Sequence, residues 1–323
     1  MQSSSSSSSS LSDLECTISK SGAVAACVAM AVLYVATLYS PTLVLRLPPA
    51  NSFEQFMRRR FACAAVSSVV SISLASFVLV PVEEWRLGYM LKIYGVRADH
   101  LWSAVVFPLS LTSLMYLGSF VLKFLMLLDS WREHCDGWIS FDDVRAVLHS
   151  LVDSFLAAGY NILTWRTFVV APITEELVFR ACMIPLLLCG GFRHYQVVFL
   201  SPIFFSLAHL NHFLEFYNRP NYSLLGASMA VGLQLGYTVV FGWYASFLFM
   251  RTGHLIAPLV THIFCNYMGL PFIYSKRKGL LVSVAFVAGV VGFWWLLFPL
   301  TSPDVCNSRT DSCECWHAYC SWD

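Results

Sequence analysis

Charge is what this chain has least of. Only 12% of its 323 residues are Asp, Glu, Lys or Arg, about half the share of an ordinary soluble domain. A large soluble core does not need so few, so the shortage points to lipid as the solvent. The net charge is +1, and no basic stripe interleaves with aromatics, which excludes a nucleic-acid groove. Eleven cysteines are present, but no CxxC pair or zinc-like spacing organises them. Without an HExxH there is no support for a zincin-type metalloprotease. Internal repeats are lacking too, which counts against an inverted-repeat transporter.

What the sequence has in abundance is long apolar runs, with 57% hydrophobic residues. Eight segments are long enough for ~30 Å of hydrocarbon at ~20 residues each. They are Ser21–Leu45, Phe61–Val80, Leu101–Leu128, Leu163–Leu188, Tyr195–Leu214, Leu225–Met250, His254–Tyr274 and Gly279–Leu300. The expected fold is all-α: a polytopic membrane protein with about eight transmembrane helices around a polar cavity. Residues 1–20 are a serine-rich tail that has no apolar surface to bury and reads as disordered. Residues 21–300 form the membrane domain, and residues 301–323 a cysteine-rich tail. The first apolar run lies too far in, and is too long, for a cleaved signal peptide, so it reads as a signal anchor. Cys27, Cys63, Cys182, Cys189 and Cys265 read as buried thiols. Cys306, Cys313, Cys315 and Cys320 lie close enough to pair if their side is oxidising. The odd-numbered loops hold ten Lys and Arg against seven on the other side. By the positive-inside rule, the odd loops face the cytosol and both termini the lumen.

Acids inside the apolar runs carry most of the information, because charge there is expensive and usually functional. No aspartate lies within a run, which removes an aspartyl dyad; only Glu175 and Glu176 fall well inside one. Arg180 follows Glu176 by four residues, on the same helix face and in the favourable order. Glu175 points ~100° away. Arg180 therefore neutralises Glu176 and leaves Glu175 free, a carboxylate suited to general-base work. Pro172 allows two structures. It could start a helix, leaving both acids in a first turn near the membrane surface. It could instead kink a longer helix and open a polar pocket beside them.

Two histidines join the acids. His209 lies four residues after Phe205, and His262 four residues before Asn266, each pair on one helix face. Each histidine alone could be a packing residue. Together, three helices supply a carboxylate, imidazoles and an amide. Amide hydrolysis needs a base for water, donors for an oxyanion and a proton for the leaving amine. Gly226-Ala227-Ser228 has the small-residue character of helix packing rather than of a serine site. Cys265 lacks an orienting third group for a Cys–His pair with His262.

Glu175-Glu176-Leu177-Val178-Phe179-Arg180, Phe205-Ser206-Leu207-Ala208-His209 and His262-Ile263-Phe264-Cys265-Asn266 match the EExxxR, FxxxH and HxxxN motifs of the type II CaaX prenyl endopeptidases, in family order. The resemblance is clear from about Trp165 to Phe272. It implies an endoplasmic reticulum membrane enzyme with a cavity open to the cytosol. Such an enzyme cuts the last three residues from farnesylated or geranylgeranylated CaaX proteins, Ras-type small GTPases among them. By motif position, Glu175 and His209 would activate the water and His262 and Asn266 would stabilise the oxyanion. Glu176, Arg180 and Phe205 would support the site. The resemblance implies no metal and no cofactor. Two other classes remain open at this point: a transporter using Glu175, Glu176, His209 and His262 as a proton or cation path, and a scaffold in which Glu176–Arg180 is only a buried pair.

Overall fold

The structure is a computed structural model that describes residues 18–79, 87–134, 159–209, 224–271 and 279–306, with isolated positions between 145 and 157. The serine-rich tail, most of the loop after the third apolar run and the last seventeen residues lie outside the described residues. Cys313, Cys315 and Cys320 are among those. Cys306 is described, as a free buried thiol donating to the Leu300 carbonyl at 3.5 Å.

Every described element is a helix. In chain order they are α1 (Lys20–Leu43), α2 (Phe53–Leu79), α3 (Leu87–Ile93), α4 (Leu101–Met115) and α5 (Leu117–His134). Next come Ile162–Trp165, a π turn at Arg166–Val170, Ala171–Glu176, a second π turn at Leu177–Cys182, and Met183–Cys189. The junctions between these five pieces all keep right-handed helical angles, so they run on as one helix, α6. Then follow α7 (His194–Ala208), α8 (Leu224–Thr252), α9 (Ile256–Met268), α10 (Gly279–Leu300) and the short α11 (Pro303–Cys306).

All eight apolar runs become helix, but not eight equal crossings. Among the described residues four helices are long and apolar enough alone: Lys20–Thr42, Phe53–Leu79, Leu224–Thr252 and Gly279–Leu300. The pair Leu101–Met115 and Leu117–Arg132 adds a fifth if taken as one span, bent by 71°. With 15 and 13 residues, α7 and α9 reach only about 20 Å at 1.5 Å per residue. Gly253 ends α8 and Gly269 ends α9, both with positive φ, a conformation that stops a helix and that glycine adopts without steric cost.

Lipid explains the surface. Phe77, Leu233, Leu280 and Trp295 are each more than 70% exposed, an arrangement water would penalise and hydrocarbon does not. Inside, close approach depends on absent side chains. A Cβ on Gly289 of α10 would lie 2.0 Å from the Leu114 carbonyl oxygen of α4, and one on Gly242 of α8 2.6 Å from Pro202 of α7. Small residues at such crossings let helices pack where lipid offers no hydrophobic drive. Buried Ser67, Ser68 and Ser71 give α2 a similarly narrow face.

The core is built on the second half of α6. Val178, Phe179, Ala181, Cys182, Met183 and Ile184 are all fully buried. A helix apolar on every side must lie at the centre of its bundle, and α6 packs against α1, α2, α7 and α9. That position puts its acids in the interior.

Candidate active site

Two local features of α6 aim its polar groups. The first π turn sits just ahead of Pro172, which has no N–H to give. Ala171 N–H bonds the Arg166 carbonyl, five residues back. The Thr167 carbonyl thus loses both its α partner and its π partner, and the Asn266 side-chain amide of α9 donates to it at 2.8 Å. A buried or half-buried carbonyl left over by a helix irregularity needs such a donor. The same bond joins two of the motif-bearing helices. Glu175 and Glu176 therefore lie in mid-helix, more than three turns beyond Ile162, and not in a first turn at the membrane surface. The longer-helix reading of Pro172 is the one the fold adopts.

The two glutamates have different environments. Glu176 is fully buried; its Oε1 accepts from Arg180 Nη1 at 3.0 Å and from His262 Nδ1 at 2.7 Å. The Glu175 side chain is 15% exposed and lies 3.8 Å from His262 Nε2. His262 thus bridges the pair, committed to Glu176 through Nδ1 and facing Glu175 through Nε2. Arg180, 1% exposed, is stacked between aromatic faces, 4.4 Å from the Phe205 ring and 5.6 Å from that of Phe241. Cation–π contact of this kind compensates part of the cost of burying a guanidinium.

Phe205 has a second task. Its carbonyl accepts a hydrogen bond from His209 Nδ1 at 2.9 Å, and its ring meets the imidazole edge-on at 4.7 Å. A carbonyl only accepts, so Nδ1 carries the proton and, in the neutral ring, Nε2 holds the lone pair.

An open cavity of about 650 Å³, measured out to solvent, lies between α1, α2, the first half of α6 and the end of α7. Glu175 and His209 line it together. His262 and Asn266 are not in that lining: His262 reaches it through Glu175, and Asn266 lies on the outer side of α9, exposed. Glu175 and His209 thus share the cavity and His262 adjoins Glu175, while Asn266 is brought to the Thr167 carbonyl. Sequence reasoning missed four of the cavity's neighbours. Tyr34 and Thr174 share a hydrogen bond at 3.0 Å beside Glu175. Arg60 and Arg166 also line the cavity. Phe241 over Arg180 was missed as well. None lies in a spacing pattern with the acids, and Arg60 reads from sequence only as a loop charge. Among the described residues no group of three or more His, Cys, Asp and Glu side chains is placed to share a metal ion.

A carboxylate and an imidazole in one cavity, with a second carboxylate neutralised behind them, define a polytopic membrane protein with the groups for proton transfer at a hydrolytic centre. The family model for type II CAAX prenyl endopeptidases, Rce1-like, matches residues 157–268. CAAX prenyl protease 2 of Arabidopsis thaliana is 58% identical over 95% of this chain and 98% of its own. The Homo sapiens protein of that name is 34% identical over 88% of this chain and 83% of its own, and the Caenorhabditis elegans one 31% over 86% and 96%. No solved structure matches. The chain belongs to the type II CAAX prenyl endopeptidase family and is a membrane protease.

Proposed function

We propose that this protease removes the last three residues of prenylated CaaX proteins, with water activated by Glu175. The observation that carries this is the division of labour between adjacent acids: Glu176 is consumed by Arg180 and His262, while Glu175 faces the cavity with His209. Glu175 takes a proton from water as the oxygen attacks the scissile carbonyl carbon. His209, with its lone pair on Nε2, orients that water. The negative charge developing on the carbonyl oxygen is met by His262, through Nε2 when that nitrogen carries a proton, and by the second amide N–H of Asn266. The proton held by Glu175 then passes to the leaving amine nitrogen as the C–N bond breaks. Glu176, Arg180 and Phe205 hold His262 and His209 in place.

Residues 21–300 are assigned to the protease domain, with the two tails outside it. The enzyme is placed in the endoplasmic reticulum membrane with its cavity open to the cytosol, and Ras-type small GTPases are among its substrates. Arg60 and Arg166 at the cavity support the orientation, since positive residues gather on the cytosolic side. A proton or cation path through the same residues finds no support among these relatives. The test is cleavage of a farnesylated CaaX peptide by the purified full chain. Release of the C-terminal tripeptide, lost in Glu175→Gln, is expected. A Glu175→Gln enzyme as fast as wild type would remove Glu175 from the chemistry.

A further inference from the structure

Two cations of the cavity lie outside the motifs. Arg60 of α2, half-buried and lying over the Phe56 ring at 5.6 Å, and Arg166 in the first π turn of α6 line the same cavity as Glu175. Tyr34, Arg60, Arg166 and Glu175 all line this one space. An uninterrupted α-helix would put Arg166 and Glu175, nine residues apart, on opposite faces, at ~100° per residue. The π turn inserts an extra residue between them and rotates Arg166 back toward the cavity.

We infer that Arg60 and Arg166 bind the terminal carboxylate of the leaving tripeptide, and so measure the cut at three residues from the chain end. This rests on the proposed endopeptidase reaction. The dimensions agree. Three extended residues span about 10 Å from the scissile carbon to the terminal carboxylate, at 3.3–3.6 Å each. Nine helical residues separate Arg166 from Glu175 by about 13 Å along the axis, and both side chains are long enough to take up the difference. Guanidinium groups suit this task, since they hold a carboxylate through paired, charge-assisted N–H bonds. The neighbouring wall is apolar, with Val35, Leu38, Phe61 and Val170, as aliphatic side chains of the tripeptide require. The geometry also sets direction: the tripeptide points toward the arginines, and the prenylated cysteine lies beyond Glu175.

The experiment compares one farnesylated CaaX peptide as the free acid and as its C-terminal amide, which has the same shape but no charge. Wild type should cleave the acid with kcat/KM about 10- to 100-fold higher, mostly through KM, the range for one charge-assisted contact. In Arg60→Gln and Arg166→Gln that ratio should shrink, and in the double variant it should approach one. The amide is the internal standard for folding and chemistry. Equal cleavage of acid and amide by wild type would overturn the inference without any variant. Variants that slow both peptides equally would also overturn it and leave the arginines as membrane-surface anchors. Wild type cleaving neither peptide would remove the endopeptidase reading itself, and this inference with it.

Discussion

Glutamine at Glu176 and glutamine at Glu175 should damage this protein in different ways. Glu176→Gln removes the anion 3.0 Å from a guanidinium that is 1% exposed. At an effective dielectric of about 20, that attraction is worth about 5 kcal/mol. The stacked rings of Phe205 and Phe241 return only about 1–2 kcal/mol each and are present with or without the acid. Breaking one side of a buried pair costs about 3–5 kcal/mol. His262 loses its charged acceptor as well. For a chain of this size that corresponds to a Tm lower by roughly 5 °C. Glu175→Gln keeps the volume and a hydrogen-bonding side chain at a partly exposed site, facing His262 across 3.8 Å. Its cost should stay under about 1 kcal/mol, within ordinary surface effects, while turnover falls by ~10² or more. Thermal unfolding of both variants in detergent, beside cleavage of a farnesylated peptide, reads both quantities. A Glu176→Gln protein as stable as wild type would refute the buried-pair argument. A Glu175→Gln protein destabilised as much as Glu176→Gln would show that the two acids share one structural role.

Asn266→Ala should lower the single-turnover rate by about 10²–10³, as loss of one oxyanion donor does, with little change in substrate affinity. Its stability should fall by no more than about 1 kcal/mol, the net worth of its hydrogen bond to the Thr167 carbonyl; an unchanged rate would take it out of the oxyanion site. Gly289→Ala should cost about 1–3 kcal/mol by overpacking α10 against the Leu114 carbonyl, and a Tm equal to wild type would mean α10 and α4 do not pack this closely. Glycosylation sites tagged at either terminus should be used and one placed within residues 51–60 should not, because the odd loops carry more Lys and Arg; the reverse pattern would invert the topology.

The membrane class and the all-helical fold were legible in the sequence, because scarce charge and long apolar runs have no other economical solvent. The pairing of Glu176 with Arg180, and the freedom of Glu175, were legible too. Residues four apart meet on any helix, and even a π turn leaves that pair in contact at 3.0 Å. His209 and His262 stood out because a titratable ring in an apolar run is rare. What tertiary structure alone decided has a common cause: it depends on where the helices cross and where they break period. The separation of His262 from Glu176 by 86 positions is invisible to any local pattern, so the sequence could name both residues but not the bond between them. Phe241 over Arg180 is a contact between helices of the same kind. The ends of α8 and α9 follow from positive φ at Gly253 and Gly269, and sequence shows only that glycine is there. Arg166 faces the cavity because a π turn shifts its register by one residue, and that turn is stabilised by a proline on its own helix together with an asparagine from another. Local sequence determined which groups do chemistry; long-range packing decided which of them share a cavity.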